Sequence, residues 1–148
     1  MKYMALTLFI LSLLVLPACT SSGAAETAVT SLTISGGEIR QDYSRADLEA
    51  MPVSESVFNE VTYLGVNLPT LVQEAGFDPS AIRAVKAIAS DGYSINYDPG
   101  QVLAADVIVA YARTDGELAE DDGSFRMVLP GQEGKLNVRM LVELQIIQ

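Results

Sequence analysis

A mixed-sheet α+β domain is the fold class this sequence predicts, on three observations. Strand-like and helix-like segments interleave without a regular βαβ repeat. Asp91-Gly92 joins Ile82–Ala89 to the alternation Tyr93, Ile95, Tyr97, and an Asp-Gly pair readily supplies the positive φ angles of a tight antiparallel turn. The run Val107-Ile108-Val109-Ala110-Tyr111 is apolar throughout and bounded by charged residues, the pattern of a central strand covered on both faces.

The remaining elements follow in chain order. Leu32 and Ile34 before Gly36-Gly37 mark a first strand and turn. Ser44-Arg45-Ala46-Asp47 is an N-cap followed by an acid at the third helical position, and Pro52 stops that short helix. Val53–Tyr63 carries enough β-branched and aromatic residues for one extended segment, with Gly65 breaking the pattern after it. Leu68, Leu71, Val72 and Ala75 fall at helical spacing, with Gly76 as the C-terminal stop and Pro79 beyond. Pro99–Ala105 fits one or two further helical turns. Thr114–Gly123 is an acidic, turn-rich stretch, Phe125–Leu129 another strand, and Pro130–Gly134 a loop. Val138, Met140, Val142, Leu144 and Ile146 alternate as a last strand, which turns Arg139 toward the side of Leu141, Glu143 and Gln145.

Ahead of this domain, Met1–Tyr3 carries one lysine and Met4–Leu16 is an almost unbroken apolar run closed by Pro17-Ala18-Cys19. That is the layout of a signal peptide over 1–18. The run is shorter than the roughly 20 residues a helix needs to cross a bilayer. Leu16-Pro17-Ala18-Cys19 resembles the lipobox of bacterial lipoproteins, which implies that Cys19 is lipidated and becomes the N-terminus. Thr20–Thr30 is mostly Ser, Thr, Ala and Gly, so 19–30 reads as a lipidated cysteine and flexible tether, and 31–148 as the domain. The expected place is the cell envelope, held to a membrane on its extracytoplasmic side.

Composition narrows the chemistry. Of nine basic and nineteen acidic residues only Lys2 precedes Cys19, so the exported part carries eight against nineteen, a formal −11. Nucleic acid and anionic membrane surfaces are excluded as partners on that balance. With no histidine and one cysteine, the domain has no internal disulfide, no thiolate zinc site and no Ser-His or Cys-His pair. No two carboxylates stand out by spacing, so no catalytic residue is assigned.

Three constellations remain. Arg126, Lys135 and Arg139 surround the Pro130–Gly134 loop and offer a small anion site, against the ordinary reading of solvated or salt-bridged charges. Asp115, Glu117, Glu120, Asp121 and Asp122 supply hard oxygens that attract calcium, but without EF-hand spacing they read as a solvated loop. Tyr93 and Tyr97 share a strand face with Ile95, which reads as packing, and Asp91 reads as a turn former.

Five motifs in order carry a family resemblance: Tyr63-Leu64-Gly65-Val66-Asn67-Leu68 with the helix to Gly76, Ala89-Ser90-Asp91-Gly92-Tyr93-Ser94, Asp106–Tyr111, Asp115-Gly116-Glu117-Leu118, and Arg126-Met127-Val128-Leu129-Pro130-Gly131. From about Leu32 to Ile147 the chain resembles the molybdopterin-binding domain of sulfite oxidase-type oxidoreductases in a short stand-alone form. The resemblance implies that mixed-sheet fold, a cysteine thiolate on molybdenum, and basic and polar residues around the pterin and its phosphate. Phe58-Asn59-Glu60 stands where the cysteine is expected, and acylation would consume the sulfur of Cys19. Arg126 matches a family arginine before the Pro-Gly, Arg139 matches a lysine, and Asn137 stands where a serine is common, which makes these three the candidate cofactor-binding residues. A histidine expected shortly before the arginine is absent, and Leu136 replaces another lysine. Glu120, Asp121 and Asp122 would repel a phosphate by several kcal/mol at an effective dielectric of about 20.

The cofactor is therefore unassigned: the resemblance admits molybdopterin and the missing cysteine opposes it. Two functional readings follow. One is a non-catalytic extracytoplasmic module for a small anionic ligand or an envelope protein partner. The other is a molybdopterin-dependent oxidoreductase or redox subunit without a protein thiolate.

Overall fold

Two sheets share one core in the computed structural model, which describes residues 31–148. The predicted signal peptide, Cys19 and the tether lie outside the described residues. Sheet A has the order β2-β1-β10-β5-β6, built from β1 (Leu32–Gly36), β2 (Ile39–Tyr43), β5 (Ala84–Ala89), β6 (Ser94–Tyr97) and β10 (Leu141–Ile147). Its one parallel pairing joins β1 to β10, with Thr33 opposite Glu143 and Ser35 opposite Gln145. Sheet B runs β3 (Ser54–Phe58), β4 (Val61–Asn67), β7 (Ile108–Arg113), and on the far side of β7 both β8 (Gly116–Glu117) and β9 (Arg126–Val128). This is the expected mixed-sheet α+β architecture.

Helices fill the gaps between the sheets. α1 (Arg45–Glu49) begins with a full capping box, in which Ser44 and Asp47 satisfy each other's backbone N–H groups. α2 (Leu68–Glu74) is capped by Asn67, buries Leu68, Leu71 and Val72, and ends at Gly76 with φ of 96°. α3 (Pro99–Val102) is a single turn. No helix among the described residues is long and apolar enough to cross a membrane.

Alternation along β7 sends Val109 and Tyr111 into the main core and Ile108 and Ala110 into a smaller cluster with Tyr63 and Val128 on the other face of sheet B. Both faces of this strand are thus covered, as its apolar run predicts. Arg126 lies opposite Ala110 in the ladder, and paired residues share a face. A guanidinium therefore roofs the smaller cluster.

Four local expectations are corrected. Val53–Tyr63 is a hairpin rather than one extended segment: β3 turns into β4 through Asn59 and Glu60, both at positive φ (49° and 65°). Gly65 does not break a strand but sits inside β4, where an added Cβ would lie 2.1 Å from the Val109 carbonyl oxygen. Only a residue without a side chain lets β4 approach β7 at this bulge. The polar segment Ile39–Tyr43, unassigned by periodicity, forms an edge strand on β1.

The last strand begins at Leu141, not at Val138. Met140 adopts φ of 51° because its N–H donates to the Asp122 carbonyl (2.7 Å) while its own carbonyl accepts from Ser90 N–H (2.9 Å). A bulge between Leu141 and Glu143 then resets the phase, so the residues buried are Leu141, Leu144 and Ile146. Arg139 consequently lies outside the strand and faces Asp121 rather than the Leu141–Glu143–Gln145 side.

Candidate functional site

Four chain segments meet over the outer face of sheet B: the β3–β4 turn, the 3-10 turn Glu120–Asp122, the start of β9, and the loop that ends in the 3-10 turn Gly134–Leu136. Between them lies a cleft of about 410 Å³ lined by Phe58, Asn59, Asp122 and Arg126. A second lobe of about 280 Å³ reaches Asp91, Tyr93 and Lys135. Asp121, Gly134, Asn137 and Arg139 border both lobes.

At the base, Arg126 is almost wholly buried, with Nη1 donating to Asp122 Oδ1 (2.7 Å) and to the Tyr63 hydroxyl (2.9 Å). Its guanidinium carbon stands 4.7 Å from the Tyr63 ring centre and 5.6 Å from that of Phe58. Two aromatic faces and one carboxylate thus replace the water that the charge loses on burial. Burial raises the pKa of the Tyr63 hydroxyl, with the Arg126 charge opposing that shift. Sequence spacing carried no sign of Phe58 or Tyr63 as partners, because those contacts join β3, β4 and β9 across the sheet, whereas Asp122 lies only four residues before Arg126, in the acidic run the sequence sets against a phosphate.

Asn137, also buried, accepts from Leu129 N–H (2.6 Å) and donates to the Glu133 carbonyl (3.2 Å). One side chain closes both ends of the intervening loop. Two tyrosines hold the same loop from the β5–β6 hairpin: Tyr93 donates to the Lys135 carbonyl and Tyr97 to the Leu136 carbonyl. Burial pushes the Tyr97 pKa well above the ordinary tyrosine value. Ile95 and Tyr97 pack opposite Ala87 and Val85, whereas Tyr93 precedes β6 and is half-exposed.

The structure brings Arg126, Lys135 and Arg139 to one cleft and gives each an acid. Arg126 holds Asp122, Arg139 holds Asp121, and Lys135 holds Glu133 at 2.7 Å. The Lys135 pair is fully exposed, and each member shifts the other toward its charged form. The acidic run is engaged elsewhere too: Asp115 meets Arg113 and Glu117 meets Arg45. Among the described residues, no three side chains of metal-ligating type converge on a point.

The family model for the oxidoreductase molybdopterin binding domain matches residues 23–148. Among solved structures the chain is similar to the sulfane dehydrogenase SoxCD from Paracoccus pantotrophus, with a TM-score of 0.66 and 21% identity over 78% of this chain. The match covers 37% of the solved chain, so this protein spans little more than a third of that relative's length and the likeness concerns fold. A search among curated proteins gave no match.

Proposed function

The chain belongs to the oxidoreductase molybdopterin-binding domain family, and from that premise we propose that it is an exported, lipid-anchored binding module that carries out no molybdenum chemistry. One observation carries this reading: the residues at the cleft do not fit the group the family implies. The turn at Phe58-Asn59-Glu60 offers no thiolate, and Phe58 is occupied in stacking on Arg126. Both arginines that would receive a phosphate are neutralised by adjacent carboxylates, which would meet an incoming phosphate as like charges. Asn137, the third candidate, uses its amide to hold the loop.

What the cleft retains is a preformed recess with polar groups fixed by buried partners, the character of a binding site. The cysteine at position 19 and the apolar run before it support presentation on a membrane by a lipid. Cys19→Ser is expected to release the protein from membranes and abolish incorporation of labelled palmitate. Retention of both would remove the lipid anchor from the proposal.

Molybdenum, tungsten and pterin analysis of the protein purified from its own host tests the central claim. Only trace amounts are expected. Near-stoichiometric metal and pterin would replace this reading with the second one, favoured by family membership: a redox subunit whose metal is ligated by cofactor, solvent or a partner's residue.

A further inference from the structure

The buried ion pair at the base of the cleft is half-used. Arg126 and Asp122 meet through a single contact, Nη1 to Oδ1, whereas the exposed Arg45 uses two nitrogens on the two oxygens of Glu117. The Arg126 Nε turns to the Met127 carbonyl. Among the described residues, no hydrogen bond is made by Arg126 Nη2 or Asp122 Oδ2. Both side chains are 5% exposed. Among the described residues, neither atom is an enclosed side-chain nitrogen or oxygen lacking a hydrogen-bond partner, so these two free atoms touch the solvent of the cleft that both residues line.

Resting on the binding-module reading, we infer that this cleft takes a neutral amide whose carbonyl oxygen and N–H lie on the same side. The carbonyl accepts from Arg126 Nη2 and the N–H donates to Asp122 Oδ2. A free donor and a free acceptor on two side chains already joined by one hydrogen bond are matched by such an edge, and each free atom exchanges cleft water for a charge-assisted hydrogen bond. An anion satisfies Arg126 and is repelled by Asp122; a cation does the reverse. An ordinary trans secondary amide directs its N–H and C=O to opposite sides and reaches only one of the two. Primary carboxamides and cyclic lactams both carry the required edge. The outer pair, Asp121 with Arg139, adds no net charge at the rim, so nothing there favours an ionic ligand.

Four small probes separate these cases on the full chain: propionamide, 2-piperidone, N-methylpropionamide and propionate. Side-chain and backbone NMR signals of Phe58, Asn59 and Arg126 report occupancy. Propionamide or 2-piperidone should shift them saturably, at least about tenfold more tightly than propionate or N-methylpropionamide, the ratio set by leaving a buried polar group unpaired. Whichever of the two binds more tightly names the source of the edge. Asp122→Asn turns the free acceptor into a donor and should abolish the shifts, while Arg40→Gln, on the exposed edge strand of sheet A away from the cleft, should leave them within about twofold. If Asp122→Asn fails to fold, the preference of the unaltered chain for amide over carboxylate still decides. Equal or tighter binding of propionate, equal binding of N-methylpropionamide, loss of binding in Arg40→Gln, or no shift with any probe overturns the inference. None of those outcomes touches the metal and pterin analysis, on which the module reading stands or falls separately.

Discussion

Asp121 and Asp122 are neighbours in the chain, and each holds an arginine, yet their surroundings are opposite. Asp122 and Arg126 are 5% exposed on both sides, whereas Asp121 and Arg139 are 69% and 54% exposed. Water competes for every contact of the outer pair and salt screens it, so its contribution to stability is small. The inner pair has exchanged most of its water for Tyr63, Phe58 and each other, and removing one partner strands a charge that little solvent reaches. One step along the chain thus separates a contact the fold depends on from one it does not.

The comparison is easiest to break with alanine at each acid. Asp122→Ala is expected to lower unfolding free energy by about 3–5 kcal/mol, and Asp121→Ala by no more than about 1 kcal/mol, vanishing at high salt. Chemical denaturation at two ionic strengths reads both, and equal losses would mean that burial does not separate the pairs. Replacing both inner partners with apolar residues, Asp122→Leu with Arg126→Met, should recover most of the loss because no charge is left uncompensated. A double variant no more stable than Asp122→Ala would place the cost in packing rather than charge.

A second buried and exposed pair sharpens the point. Tyr97 and Tyr93 donate to adjacent carbonyls of one loop, but burial raises the pKa of Tyr97. Its contribution is fully present below the unfolded tyrosine value of about 10 and is lost as pH rises from there toward the folded value. Stability should therefore fall at alkaline pH, and Tyr97→Phe should flatten that decline while costing about 1 kcal/mol at neutral pH. The smallest effect is expected at Glu60, whose φ of 65° suits glycine: Glu60→Gly should raise the melting temperature, a gain of about 0.5–1 kcal/mol, with cleft residues undisturbed. A lower melting temperature would show that the Glu60 side chain matters to the turn.

The elements legible in the sequence are those in which a local pattern and the final packing agree. The β5–β6 hairpin had its Asp-Gly turn, α2 its spacing and terminal glycine, and β7 its unbroken apolar run. The β3–β4 hairpin was hidden because its two-residue turn is Asn-Glu, with no glycine to announce positive φ. Gly65 reads as a breaker until β7 lies against it. Val138 and Met140 continue the alternation of the last strand on paper, but Met140 is fixed by hydrogen bonds to Asp122 and Ser90, both distant in sequence. The cleft follows the same rule. Arg126, Asn137 and Arg139 were found by motif and the acidic run beside them by composition, while Phe58 and Tyr63, which stack on Arg126, come from other strands and carry no local signal.

The pairing of β1 with β10 bears on how the domain is made. These strands lie more than a hundred residues apart and are the only parallel neighbours in sheet A. A chain that appears N-terminal end first leaves β1 with only β2 beside it until residues 141–147 arrive, since β10 also separates β1 from the β5–β6 hairpin. Sheet A closes in one late, high-contact-order step. During that interval the edge of β1 that receives β10 carries unpaired N–H and C=O groups, a window in which a chaperone holding the early strands would matter more than any single contact in the finished fold.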